Sequence, residues 1–169
     1  MRNLLRAVVA GILSIIVYSC STDGCLENRS SIPLAGFYDG YGSQITLDSL
    51  RVTGISDDSI PALSEEGTKA NEVYLPMRST KDNTTWQFAY KWKYLADGTL
   101  SDTISFDYTA SPYFASDECG VIYRYHINRM RYTTHLIDSI KITDSLITNI
   151  DKQQIKIYFR TADTDGELE

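Results

Sequence analysis

Three cysteines, two histidines and a series of acid–hydroxyl pairs are the side chains in this sequence that could do chemistry. Cys20 ends an apolar run, and its thiolate is a nucleophile that can be alkylated. Cys25 and Cys119 then remain as an even pair, suited to a disulfide in an oxidising compartment. His126 and His135 are candidate general bases, but no Gly-x-Ser-x-Gly elbow precedes either. Zinc would have to combine two cysteines with these two histidines, and no recognised ligand spacing joins them. Residues 163–167 (DTDGE) open like a calcium loop but lack its third ligand and its bidentate Glu at position twelve. Carboxylate pairs could be drawn by chance from 22 acids, so they give no evidence of a glycosidase. The residues predict no catalytic centre, no metal and no cofactor.

The segment that delivers Cys20 supplies the first context. Arg2 and Arg6 precede residues 7–17 (AVVAGILSIIV), an apolar run broken by one serine, as in a secretory leader. Eleven helical residues span about 16 Å, roughly half of a ~30 Å hydrocarbon core, so the run cannot be a mature membrane span. Val17-Tyr18-Ser19-Cys20 resembles the bacterial lipobox, with an aliphatic residue three before the cysteine and a small one just before it. Cleavage before Cys20 and acylation of its sulfur are expected, because a small preceding side chain admits the peptidase. Several acyl chains, at about 0.8 kcal/mol per buried CH₂, would make the anchor permanent. Ser21 rather than Asp after Cys20 favours the outer membrane by the usual sorting rule. The expected organisation is a signal peptide at 1–19, a lipidated tether at 20–31, a folded domain at 32–160 and a flexible acidic tail at 161–169.

Losing Arg2 and Arg6 with the leader takes the formal charge from −6 to −8. An acidic domain repels phosphate backbones, which excludes nucleic acid as the expected partner. About 150 residues remain, one domain's worth, enough to bury a core unaided. Cys25 and Cys119 are 94 positions apart, and closing so long a loop stabilises by up to about 4.7 kcal/mol in the chain-entropy account.

The elements that must position these groups read as strands. Residues 34–38 form a short apolar run closed by Asp39-Gly40, and residues 45–55 alternate as one strand, or as two broken near Asp48-Ser49. Residues 57–71 read as the longest loop. Residues 73–77 read as a brief strand, with Pro76 arguing for a sheet edge. Residues 84–94 (TTWQFAYKWKY) set Trp86, Phe88, Tyr90, Trp92 and Tyr94 on one face. Asp97-Gly98 then predicts the centre of a hairpin turn, and residues 100–108 return with Ile104, Phe106 and Tyr108 alternating. In residues 120–132 the alternation predicts Val121, Tyr123, Tyr125 and Ile127 inward, with Arg124, His126 and Asn128 outward. Residues 136–142 and 155–159 complete the set. The expected fold is an all-β, antiparallel sandwich of about eight or nine strands, immunoglobulin-like or similar, with a small β-barrel as the alternative.

Two patterns carry candidate sites. Trp86, Tyr90 and Trp92 could form an aromatic platform for sugar rings, or equally the inner face of a sheet; the lysines at 91 and 93 on the opposite face favour core. Five tripeptides, Asp48-Ser49-Leu50, Asp58-Ser59-Ile60, Asp102-Thr103-Ile104, Asp138-Ser139-Ile140 and Asp144-Ser145-Leu146, resemble an acid–hydroxyl–aliphatic O-glycosylation acceptor. Ser49, Ser59, Thr103, Ser139 and Ser145 are therefore candidate modification sites, against a reading in which Asp and Ser simply bond their own turns.

The lipobox, Gly36-Phe37-Tyr38, Leu75-Pro76, Cys119-Gly120 before a Tyr-rich strand, Leu136-Ile137-Asp138-Ser139-Ile140 and Ile155-Lys156-Ile157-Tyr158-Phe159 together resemble a family of short, functionally uncharacterised Bacteroidetes outer-membrane lipoproteins. The resemblance implies an outer-membrane address and an envelope protein as partner, and no activity. The functional expectation is a membrane-anchored, non-enzymatic protein-interaction or envelope-accessory module. A carbohydrate-binding module and a hydrolase are the alternatives.

Overall fold

The computed structural model describes residues 30–55, 69–90, 100–117 and 119–160, and the leader, most of the tether, the acidic tail, Ser59 and Trp92 lie outside them. The described chain is all strand: β1 (Leu34–Tyr38), β2 (Leu50–Ile55), β3 (Glu72–Tyr74), β4 (Asn83–Tyr90), β5 (Leu100–Ser116), β6 (Gly120–Tyr132), β7 (Ile137–Ile142), β8 (Leu146–Ile147) and β9 (Gln153–Phe159). They form two sheets, ordered β3-β1-β9-β7 and β2-β4-β5-β6-β8, packed as a sandwich and not closed as a barrel. The sandwich follows from the alternation. On β4 Thr84, Trp86, Phe88 and Tyr90 are all buried, and on β5 Asp102, Ile104, Phe106 and Tyr108 match them. Phe159 of the first sheet meets Phe37 edge-on at 5.6 Å and Tyr90 of the second sheet at 5.9 Å, tying the layers together.

Four details bear on the sequence expectation. One pair is not antiparallel: β1 runs parallel to β9. Parallel neighbours need a long crossover, and here everything between the first strand and the last supplies it. β1 consequently sits between β3 and β9 and is buried along most of its length. Second, of the two readings offered for residues 45–55 the broken one holds: Ser49 takes a φ of 60°, and only Leu50 onward continues as β2.

Third, β4 and β5 pair as the expected hairpin, and the Asp97-Gly98 turn lies outside the described residues. Tyr90 faces Leu100, with residues 91–99 between them. A two-residue reversal centred on Asp97-Gly98 would set even-numbered residues opposite odd ones, turning Ile104 and Phe106 outward while Trp86 and Phe88 faced in. The observed register sets Trp86 opposite Ile104 and Thr84 opposite Phe106, so both apolar sets are buried on one face. Fourth, Val121 and Tyr123 are exposed although their alternation points them inward. The strand expected at 73–77 is the edge strand β3, as Pro76 argued, but it ends at Tyr74 and leaves Pro76 outside it.

Candidate functional site

The reason for the exposed Val121 and Tyr123 is that β5 and β6 outrun the sandwich. β4 pairs with β5 only as far as Asp107, and β8 meets β6 only at Tyr125 and His126. Beyond those points β5 and β6 continue as a two-stranded arm to the turn at 117–119, where Gly120 adopts a φ of 71°. Asn128 is the extra residue of a bulge, skipped in the register because Asp107 faces Arg129 while Tyr108 faces Ile127, and its side chain donates to Thr109 at 2.9 Å. This bulge twists the hairpin and sets Tyr108, Ala110, Pro112 and Phe114 on one face with Ile127, Tyr125, Tyr123 and Val121. The first two pairs are roofed by the other sheet, since Tyr108, Tyr125 and Ile127 belong to the core. Among the described residues nothing roofs the last two pairs: Phe114 is 59 % exposed, Val121 62 % and Tyr123 42 %. On the other face of the arm Tyr113 is 39 % exposed, with the Arg124 guanidinium stacked 3.0 Å above its ring.

The base of the arm is clamped. Tyr108 and Tyr125 meet edge to face at 5.4 Å. The Tyr108 hydroxyl donates to the Arg78 carbonyl and accepts from the Arg78 N–H, both at 3.0 Å, and lies 2.9 Å from the Thr84 hydroxyl. Burial pushes the Tyr125 hydroxyl pKa up, with Tyr108 and Tyr123 adding to it. Beside this clamp opens a cleft of about 260 Å³, lined by Ser30, Ser31 and Ile32 on one side and by Met77, Val121 and Tyr123 among others. The point where the described chain begins is thus next to the unroofed face.

Cys119 sits in the turn of the arm, where its N–H donates to the Ser116 hydroxyl at 3.1 Å. The described residues contain no second cysteine; Cys20 and Cys25, the latter expected to pair with Cys119, both lie outside them.

The remaining sequence candidates disperse. Trp86 and Tyr90 are 2 % and 6 % exposed, so no platform forms from them. Ser49, Thr103, Ser139 and Ser145 are half-buried and lie on different elements. The acids of their tripeptides have structural work. Asp48 pairs with Lys69 at 3.1 Å, and Asp138 lies 3.5 Å from Arg160. The Asp144 carboxylate accepts the Leu146 N–H and meets Lys152; the Lys152 contact, then the Leu146 bond, lowers its pKa.

Asp102 is the group that sequence reasoning missed. Fully buried on β5, it accepts the Thr133 hydroxyl and the His135 N–H at 2.7 Å on one oxygen. Its other oxygen accepts the N–H groups of Leu136 and Ile137 at 2.8 and 3.0 Å. Burial pushes its carboxyl up; the bonds from Ile137, His135, Thr133 and Leu136 together outweigh that and bring the pKa below its ordinary 3.8. Tyr90, close by on β4, is shifted the other way, by burial first and then by the Asp102 charge. This carboxylate latches the crossover between the sheets. The available signal was its even-numbered position between Leu100 and Ile104, which places an acid on an apolar face.

One arrangement resembles a hydrolytic relay. The Ser145 hydroxyl lies 3.4 Å from His126 Nε2, and His126 Nδ1 lies 3.1 Å from the Asn128 side-chain oxygen. His126 and Asn128 are exposed, and none of the three residues lines the cleft. Among the described residues no three His, Cys, Asp or Glu side chains gather in metal-binding geometry.

The model of a family of unknown function, DUF6452, matches residues 49–159, which take in β2 through β9, the arm and the Asp102 latch. The chain belongs to this family. No curated protein and no solved structure matches it. The function of the DUF6452 family is unknown, so membership assigns the chain no activity.

Proposed function

We propose that this DUF6452 protein is a lipid-anchored, non-enzymatic lipoprotein of a Bacteroidetes-type outer membrane, cut before Cys20, acylated there, and acting by contact as an accessory to another envelope protein. The observation that carries the reading is the arm. A two-stranded ribbon is marginal in water on its own, yet this one projects past the sheets with Phe114, Val121 and Tyr123 uncovered. Surfaces of that kind mark contact sites. The arm also stands at the end of the sandwich where Ser30 leads back to the leader. Pairing of Cys119 with Cys25 would bind its turn to the tether, holding the domain in one orientation on its anchor. The rest of the sandwich, including the turn at 39–43 with its 85 % exposed Tyr41, then faces away and is free for a protein partner.

Affinity capture of the acylated protein from native membranes tests this. One stoichiometric envelope protein is the expected result, and recovery of none would count against it. A second reading, hydrolysis, rests on the Ser145, His126 and Asn128 line-up. A fluorophosphonate probe should leave Ser145 unmodified, and labelling that disappears in Ser145→Ala would overturn the non-enzymatic reading.

A further inference from the structure

We infer that the unroofed face of the arm, Pro112, Phe114, Val121 and Tyr123, is a second membrane contact that dips into the lipid interface beside the anchor. The inference rests on the lipid-anchored reading above and adds to it the occupant of the arm.

The argument is one of reach and chemistry. The described chain starts at Ser30 in the cleft shared with Val121 and Tyr123. Ten positions separate Ser30 from Cys20, so the acylated sulfur lies within about 36 Å of the arm even if the tether is fully extended. A Cys25–Cys119 bond would tighten this further, because five positions separate Cys20 from Cys25, at most about 18 Å. Such a link leaves the turn of the arm no means of standing far from the bilayer.

The topology points the arm the same way. β1 begins at Leu34 beside the cleft and ends at Tyr38, and β9, parallel to it, begins opposite Leu34. Ile150, 62 % exposed just before β9, therefore emerges at the arm's end of the sandwich. Tyr41, in the turn after β1, emerges at the other end. The exposed apolar side chains thus concentrate at the pole from which the anchor leaves.

Their types suit an interface. Tyrosine and phenylalanine present an apolar ring at the depth of the headgroups, and the Tyr123 hydroxyl can stay hydrated while its ring is buried. Arg124, stacked on Tyr113 from the opposite face of the arm, is placed to meet lipid phosphate as the apolar face goes under. A protein neighbour, a second copy or the chain's own tether are the competing occupants.

The test is photocrosslinking of the full acylated chain in phospholipid vesicles, with benzoylphenylalanine at position 114 and, as control, at position 41. Both positions are exposed, so the core is untouched. Adducts to phospholipid at 114 and none at 41 are expected, with the lipid adduct lost when the vesicles are omitted. An adduct at 114 to another copy or to residues 21–29, equal lipid labelling at both positions, or no adduct at 114 would overturn the inference. Mass spectrometry of the Cys20 peptide in the same sample separates the two readings. Acylated Cys20 with no lipid adduct at 114 removes the arm contact alone, whereas unacylated Cys20 removes the anchor and, with it, the basis of the contact.

Discussion

Replacing Asp102 by alanine should be among the most damaging single changes in the domain, and the reason can be worked through donor by donor. The carboxylate serves four hydrogen-bond donors, those of Thr133, His135, Leu136 and Ile137. Thr133 and His135 are exposed and would turn to water; Leu136 is half-buried and would recover in part; Ile137 is fully buried and its N–H would be stranded. A stranded buried donor costs about 1–3 kcal/mol, so with the partial loss at Leu136 the total should be about 2–5 kcal/mol. That is a large share of the 5–15 kcal/mol typical of a domain. Urea unfolding, followed by fluorescence with Trp86 as a buried reporter, should show a lower midpoint with an unchanged slope. The pH dependence has a definite sign. The folded-state pKa lies below the ordinary 3.8, so the unfolded chain binds the proton more readily. The carboxylate's contribution is therefore complete above the unfolded value and is lost as pH falls through the folded one. The stability gap between the parent and Asp102→Ala should be constant near neutrality and narrow once pH falls below about 4. A gap under about 0.5 kcal/mol at pH 7, the range of an ordinary surface substitution, would refute the latch. So would a gap that stays constant in acid.

Four shorter predictions follow from other contacts. Tyr108→Phe should cost about 1–3 kcal/mol in urea unfolding, because the hydroxyl links the Arg78 backbone to Thr84 at the base of the arm. Gly36→Ala should destabilise, since a methyl there would overlap the Gln153 carboxamide and break its bond from the Tyr38 hydroxyl. Adding Gln153→Ala should then cost less than the sum of the two single changes, a coupling of about 0.5 kcal/mol or more in a double-mutant cycle. Cys119→Ser should lower thermal stability by up to about 4.7 kcal/mol, and Cys25→Ser should match it without adding to it; two unequal, additive losses would rule out that pairing. Intact-mass analysis from the native host should show sugar on Ser49, Ser139 or Ser145, whose acids are accessible, and none on Thr103, whose acid is sealed; the mass of bare polypeptide plus lipid would end the O-glycosylation reading.

What the sequence determined by itself is what depends on neighbours two residues apart. Trp86, Phe88 and Tyr90, and Ile104, Phe106 and Tyr108, alternate because a strand turns successive side chains to opposite faces, and that pattern was enough to give strands and their inner faces, with a sandwich and a barrel both open to it. Tertiary structure decided whatever depends on partners far along the chain. It placed β1 beside β9 in parallel, and it set the β4–β5 register that puts Trp86 opposite Ile104, so that both apolar faces are buried together. It ended the opposing sheet short of Val121 and Tyr123, so that side chains with the pattern of core became surface. It also made Asp102 a structural anchor by bringing to it four donors from more than thirty positions away. Alternation records which way a side chain points; whether anything covers it is set by a second layer whose length and register no local period encodes.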